Sequence, residues 1–207
     1  IIVYKSGEII PKVKAVLKDF RPPTAAPFVI AAVCPICGSK AEREEDGADI
    51  RCVNVNCPAQ FLHHVLNFVS RNAMDIKGFG QVYIVELVRK GYIKDIADIY
   101  YLKDKRDELI DQGIIGKEKN TDKLLAAIEG SKSNDASRLF TGFGIPNVGK
   151  AAAKSLLNKF KDIEIIMGLS VEDLIEVDDI GDISAKAIFD FLHNESNIDI
   201  IRRIKEA

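Results

Sequence analysis

Residues 145–157 read IPNVGKAAAKSLL, and two further stretches of the 207-residue chain share the pattern of this segment. Each begins with an apolar residue, continues into a tight turn that closes on a glycine, and runs into apolar residues at the spacing of an amphipathic helix. Two helices joined by so short a turn form a helix-hairpin-helix motif, so the pattern predicts a mainly α fold. The other stretches are IKGFGQVYIVELV (76–88) and VDDIGDISAKAIF (177–189), and the closing glycines are Gly80, Gly149 and Gly181.

A fourth, degenerate copy of the repeat lies between the first two closing glycines. Residues 114–128 read IIGKEKNTDKLLAAI and place Lys117 where the other copies have glycine. The four closing positions are then separated by 37, 32 and 32 residues. A regular period of this size is typical of a repeated supersecondary unit. We therefore expect four helix-hairpin-helix motifs within residues 61–207.

The stretch GIPNVGKA (144–151) also approaches the pattern G-x-x-x-x-G-K-[ST] of a nucleotide phosphate loop. Two residues argue against a nucleotide site. Ala151 stands where a serine or threonine would bind Mg²⁺, and Pro146 removes a backbone N–H from the arc that would surround the phosphates. The hairpin interpretation accounts for more of the sequence.

A glycine that closes such a turn can bring the backbone close to a phosphate, because it has no Cβ. The free N–H groups and the dipole at the start of the next helix then favour an anion. Lys150 and Lys154 lie one turn apart on that helix and add positive charge. DNA phosphates are the natural ligand, although an αα-hairpin whose glycine only lets two helices pack closely remains an alternative.

The copies differ in charge. Lys77, Arg89 and Lys90 surround the Gly80 copy, whereas residues 162–182 contain eight acidic residues and no lysine or arginine. Like-charge repulsion should keep DNA away from the Gly181 copy. We therefore expect the fourth hairpin to be mainly structural or to touch DNA only at its edge. The candidate DNA-binding residues are Lys77, Gly78, Gly80, Asn147, Gly149, Lys150 and Lys154.

All four cysteines lie within 24 consecutive residues, in the order Cys34-x2-Cys37, fourteen residues, Cys52-x4-Cys57. Two short pairs of thiolates can supply the four tetrahedral ligands of Zn²⁺, and such a closed site is structural rather than catalytic. Four reduced cysteines or two disulfides are the alternatives. His63 and His64 follow a predicted helix start and are interpreted as ordinary helix residues.

The segment before the cysteines is different in character. Residues 1–20 are rich in valine and isoleucine and predict strands with a turn at Ser6-Gly7, while RPPTAAP (21–27) predicts a stiff connector. The formal charge is −2, so any DNA binding must be local, and no apolar run approaches the length of a membrane span. The predicted domains are residues 1–26 (strands and linker), 27–60 (zinc finger) and 61–207 (helical hairpins).

Several ordered motifs resemble the C-terminal half of bacterial NAD-dependent DNA ligases. The resemblance covers essentially the whole chain and implies the end of an OB fold, a four-cysteine zinc finger and a four-hairpin domain. The second hairpin departs from the family pattern, since IIGKEKNTD lacks the usual two glycines. The motifs are GEIIPKV (7–13), CPICGS (34–39), RCVNVNCPAQ (51–60), FVSRNAMDIKGFG (68–80) and LFTGFGIPNVGKAAAKSL (139–156).

The resemblance implies a parent enzyme that seals nicks in duplex DNA and uses NAD and Mg²⁺ outside this segment. The lysine that such enzymes adenylate lies in a K-x-D-G motif, which these 207 residues lack, so we expect no ligase activity from the chain alone. Its expected role is to clamp the DNA backbone without reading sequence. The implied partners are nicked double-stranded DNA and the adenylation and OB domains of the same chain, in the bacterial cytoplasm at the nucleoid.

Two other classes of function stay open at this point. One is a non-enzymatic DNA-binding module of recombination or repair that combines a zinc site with helical hairpins. The other is a helical array that is purely structural or binds proteins. Preference for nicked over intact duplex would distinguish a ligase from a general DNA-binding module.

Overall fold

The structure of the chain is a computed structural model that describes residues 1–7, 9–43, 49–54 and 57–207. Contacts divide the chain into two units, residues 1–53 and 54–207. This division falls inside the predicted zinc finger. The domain boundaries suggested by the sequence, after residues 26 and 60, therefore remain a prediction.

The first unit contains two short antiparallel hairpins. Strand β1 (Ile2–Ser6) pairs with β2 (Ile10–Ala15), and Gly7 adopts a left-handed φ of +64° at the predicted turn. Strand β3 (Ala41–Arg43) pairs with β4 (Ile50–Cys52), so these two antiparallel strands lie between the two cysteine pairs in the sequence. Residues 44–48, between these two strands, lie outside the described residues.

The second unit is built of helices, which confirms the mainly α fold class. The helices are α1 (Pro58–Val69), α2 (Gln81–Arg89), α3 (Asp98–Tyr101), α4 (Arg106–Asp111), α5 (Glu118–Ser131), α6 (Ala136–Gly142), α7 (Lys150–Phe160), α8 (Ile163–Met167), α9 (Val171–Ile175), α10 (Asp182–Leu192) and α11 (Glu195–Glu206). None of the helices in the described residues is long and apolar enough to cross a bilayer.

Each of the four repeats predicted from the sequence corresponds to a pair of packed helices: α1 with α2, α4 with α5, α6 with α7, and α9 with α10. The second helix of every pair begins directly after the predicted closing position. Gly80, Lys117, Gly149 and Gly181 are the N-cap residues of α2, α5, α7 and α10, and all four have extended backbone. The degenerate second copy therefore has the same helix start as the others, with a lysine in place of glycine.

Three of the turns share one backbone conformation. A hydrogen bond closes each turn from the fourth residue to the first, as in Val148 N–H to the Ile145 carbonyl at 3.1 Å. The third residue is left-handed, with φ of +84° at Gly78, +61° at Asn147 and +66° at Asp179. Asn and Asp reach this region more readily than other residues with a Cβ. In the second repeat the left-handed residues are instead Gly113 and Gly116.

One continuous apolar core joins the helix pairs of the second unit. Phe68 of α1 meets Tyr100 edge to face, with ring centroids 6.2 Å apart, and Phe143 stacks on Phe191 of α10 at 5.4 Å. A polar contact adds to this core near the end of the chain. The guanidinium of Arg203 in α11 contacts the carboxylates of Asp95 and Asp98 at 2.6 and 2.5 Å.

The closest approach at a helical glycine is between α6 and α1. A Cβ added to Gly142 would lie 2.9 Å from Cδ2 of Phe68, whose side chain is fully buried. We therefore expect Gly142→Ala to lower the free energy of unfolding by about 1–3 kcal/mol, because overpacking forces the ring or the helix to move. Thermal denaturation measures the effect.

Gly130→Ala in α5 is the matched control, because a Cβ there has no described atom within 4 Å. Alanine in a helix should then stabilise by roughly 0.5–1 kcal/mol. Equal melting temperatures for the two variants would contradict this account of the contact between α1 and α6.

Candidate metal centre and nucleic-acid interface

The four cysteine side chains converge. Their sulfur atoms all lie within 4.8 Å of one another, and the Sγ atoms of Cys37 and Cys52 are 3.4 Å apart. Local structure positions each pair: the N–H of Gly38, in a left-handed turn at φ +72°, donates to the Cys34 carbonyl, and Cys57 is the N-cap of α1. Cys34 and Cys57 are buried, whereas Cys37 and Cys52 are half-buried.

This arrangement fits a zinc ion. Four sulfurs at tetrahedral corners, each about 2.3 Å from the metal, would be roughly 3.8 Å apart. The observed spread of the sulfurs agrees with that size, and no disulfide joins the four described cysteines. Four thiolates would occupy every position of a tetrahedral ion, so the metal would support the fold and would have no free position for a substrate.

Neither histidine of α1 belongs to this group. Within the described residues, the side chains brought together as possible metal ligands are the four cysteines. His63 is exposed, and His64 packs beside Gly144, where burial lowers its pKa. Both histidines lie in α1, as expected of ordinary helix residues.

The helices differ in how the amides of their first turn are satisfied. Four helices have a side chain that accepts from their first amides, at Asp135, Asp162, Ser170 and Asn194. Like α1, α3 and α4, the four helices that follow the repeated turns have no such side-chain cap within the part of the chain that the structure describes. Their amides at the turn end are left for water or for a ligand.

The start of α7 brings together the residues predicted around Gly149. Gly149, Lys150 and Lys154 are all exposed. Lys154 lies near Asp135, whose pKa is held below its usual value mainly by hydrogen bonds from Ser137, with a smaller contribution from Lys154. The element before this turn is the helix α6, so the buried strand that a nucleotide phosphate loop requires is replaced by a helix.

Packing does not explain the glycine at this position. A Cβ on Gly149 would meet no described atom within 4 Å, and its φ of −87° suits any residue. The same holds for Gly80, at φ −71°, and for Gly181, at φ −97°. These observations weigh against the alternative in which the glycine serves only to let two helices pack closely.

The first turn carries less positive charge than the sequence suggested. Lys77 is exposed beside Gly78, whose left-handed φ favours glycine. Arg89 and Lys90, however, lie at the other end of α2, roughly 13 Å of helix away. Arg89 pairs there with Glu86, and Lys90 donates to Gln112. The prediction that these two cations surround the turn is wrong, because residues nine and ten positions along a helix are distant in space.

Arg138 is a further basic residue near the loop before the first turn, and it is not among the residues predicted from the sequence. Arg138 of α6 donates from Nη2 to the Arg71 carbonyl at 2.7 Å, and Asn134 donates to the Met74 carbonyl at the same distance. These bonds fix the loop that precedes the Gly80 turn to the start of α6. The sequence carries no signal for them, since the acceptors are backbone atoms 60 and 67 residues away.

The structure gives partners for several acidic residues in and before the fourth turn. Several carboxylates of residues 162–182 are engaged within the protein: Glu164 of α8 pairs with Lys205, and Glu176 lies 3.9 Å from Lys159. Asp179 accepts a hydrogen bond from Ser155 at 3.1 Å. The acidic residues here therefore contribute to internal contacts, which agrees with a mainly structural hairpin.

Two segments of the chain match known protein families. Residues 33–59 match the NAD-dependent DNA ligase C4 zinc finger domain, and residues 138–201 match the helix-hairpin-helix motif. The second match includes the turns at Gly149 and Gly181, so a count of four motifs stays a prediction.

Over all 207 residues the chain is 46% identical to a DNA ligase of Clostridium kluyveri and 41% identical to one of Natranaerobius thermophilus. It is 42% identical to a DNA ligase of Hydrogenobaculum sp. over the same length. The chain spans 31%, 31% and 29% of these relatives, respectively. With a ligase-type zinc finger and similarity along its whole length, the chain belongs to the NAD-dependent DNA ligase family and corresponds to a portion of its members.

Proposed function

We propose that this chain is the part of a DNA ligase that clamps nicked duplex DNA by its backbone. The observation that carries the proposal is the set of uncapped helix starts after the repeated turns. Four other helices of the same unit, α6, α8, α9 and α11, are capped by side chains. The helices after the turns leave their first amides open, and an anion is favoured at such a helix start. In a family of DNA ligases, that anion is a backbone phosphate.

The Gly149 turn is the strongest of these candidate contacts. Its glycine leaves the approach to the first amides of α7 open, and Lys150 and Lys154 add charge that DNA would neutralise. At the first turn, Gly80 leaves the start of α2 open in the same way, and Lys77 adds charge. Asn147 replaces Gly78 in the third turn and keeps its left-handed backbone. These seven residues are our proposed DNA contacts.

The nick-sealing chemistry belongs to the longer enzyme in this proposal. The 207 residues contain no K-x-D-G, so adenylation by NAD and the use of Mg²⁺ are assigned to the remainder of the protein. The adenylation and OB domains are its partners within the same polypeptide. The zinc finger, with Cys34, Cys37, Cys52 and Cys57 as ligands, has a structural role.

A general DNA-binding module of recombination or repair is the alternative. Similarity to DNA ligases along the whole chain favours the ligase. Binding to a nicked duplex and to the same duplex without a nick, measured for the chain and for the full-length enzyme, separates the two. The ligase proposal expects the full-length enzyme to prefer the nick.

Removal of zinc should unfold residues 30–60, because a segment this small has little core apart from its metal. Hydrogen exchange followed by mass spectrometry should show protection lost in this segment after chelation and regained when zinc is returned. Residues 118–160, which include α5, α6 and α7, provide the internal control, because their protection should not change. Unchanged protection of residues 33–43 in the metal-free protein would refute a structural zinc.

Gly149→Asn should separate DNA binding from stability. Asparagine is at least as good an N-cap as glycine, so the melting temperature should hold or rise, while the added side chain obstructs the approach of a phosphate. We expect the dissociation constant for duplex DNA to increase about fivefold or more.

Gly181→Asn is the control, because it makes the same change at the equivalent N-cap of the acidic turn. Its affinity for DNA should stay close to that of the unaltered chain. An equal loss of affinity in both variants would show that the two turns bind DNA alike.

The salt dependence of DNA binding tests whether the lysine side chains contact phosphates. Replacing Lys150 by alanine should reduce the slope of log K against log salt by about 0.9, the value for one phosphate contact on duplex DNA. The double variant Asp179→Asn/Asp182→Asn should leave the slope and the affinity nearly unchanged. A large change in that variant would mean that the fourth turn faces the phosphates after all.

A further inference from the structure

The third and fourth hairpins are joined by two reciprocal hydrogen bonds. Ser184 of α10 donates from its hydroxyl to the backbone carbonyl of Asn147, in the third turn, at 2.9 Å. Ser155 of α7 donates to the carboxylate of Asp179, in the fourth turn, at 3.1 Å. Each turn is thus contacted by a serine from the second helix of the other hairpin.

The two acceptors occupy the same position in their turns. Asn147 and Asp179 are both left-handed, and each lies two residues before the glycine N-cap. The contacts differ in one respect. The third turn is held through its main chain, whereas the fourth is held through a side chain.

Ser184 completes the restraint of a single peptide unit. The planar peptide between Asn147 and Val148 carries the carbonyl that accepts from Ser184 and the N–H that donates to the Ile145 carbonyl at 3.1 Å. Both polar groups of this unit are therefore engaged. The next residue is Gly149, so the orientation of this peptide sets the direction from which the chain enters α7.

We propose that Ser184 is a positioning residue for DNA binding by the third turn, an inference that rests on the proposed function of that turn. The acidic fourth hairpin contributes to DNA binding through this hydrogen bond to the third turn, without contacting phosphates itself. The bond between Ser155 and Asp179 has the complementary role. It holds the left-handed carboxylate residue of the fourth turn against α7.

The test compares Ser184→Ala with Ser133→Ala, whose hydroxyl donates to the nearby Gly130 carbonyl at 2.8 Å. In the free protein, Ser184→Ala should accelerate amide exchange at Val148, and Ser133→Ala should not. In the presence of duplex DNA, Ser184→Ala should weaken binding about three- to tenfold with no change of the salt slope, because it removes no charge. Ser184→Thr, which keeps the hydroxyl, should restore most of the affinity.

A double variant tests whether Ser184 affects DNA binding through the third turn. In the Gly149→Asn background, where the third turn is already obstructed, Ser184→Ala should cause no further loss of affinity. Fully additive losses, or unchanged Val148 exchange in Ser184→Ala, would overturn the inference. If the unaltered chain does not bind duplex DNA at low salt, the proposed function fails, and the Val148 measurement still decides whether Ser184 restrains the turn.

Discussion

The first amides of a helix have no partner within the helix, and each helix start must satisfy them in some way. In this chain, polar side chains satisfy them at helices such as α6 and α9, where Ser170 and Asp173 form a reciprocal capping box. The helices after the repeated turns begin without a side-chain cap within the described residues. The architecture of the second unit can be understood as a way to hold several such starts in fixed positions.

The turns before these helices are stabilised by burial and by backbone geometry together. The residue between the left-handed position and the N-cap is buried in three of them, at Phe79, Val148 and Ile180. Burial of this side chain anchors the turn to the core, while the residues on either side stay exposed. The apolar core therefore supports the exposed backbone. Cys57 also has two roles, since it is both the last of the four clustered cysteines and the N-cap residue of α1.

Much of this organisation could be predicted from local sequence. The closing residues, including Lys117, could be located because a turn that starts a helix is determined by a few neighbouring residues. The cysteine spacing indicated the metal cluster for the same reason. The charge around the first turn was predicted incorrectly, since Arg89 is near Gly80 in sequence but not in space. Contacts such as Ser184 with Asn147, or Phe68 with Gly142, depend on how distant helices pack, and no short-range pattern encodes them.

The contact of Arg203 with Asp95 and Asp98 has a consequence for how the second unit unfolds. Stacked repeats whose contacts are mostly between neighbours can lose their terminal element independently of the rest. Here the last helix is joined to residues 105 and 108 positions earlier, and Tyr101 donates to the Arg203 carbonyl at 2.9 Å. Such long-range closure couples α11 to the middle of the unit. The helices should then lose structure in one cooperative transition, without fraying from the carboxyl end.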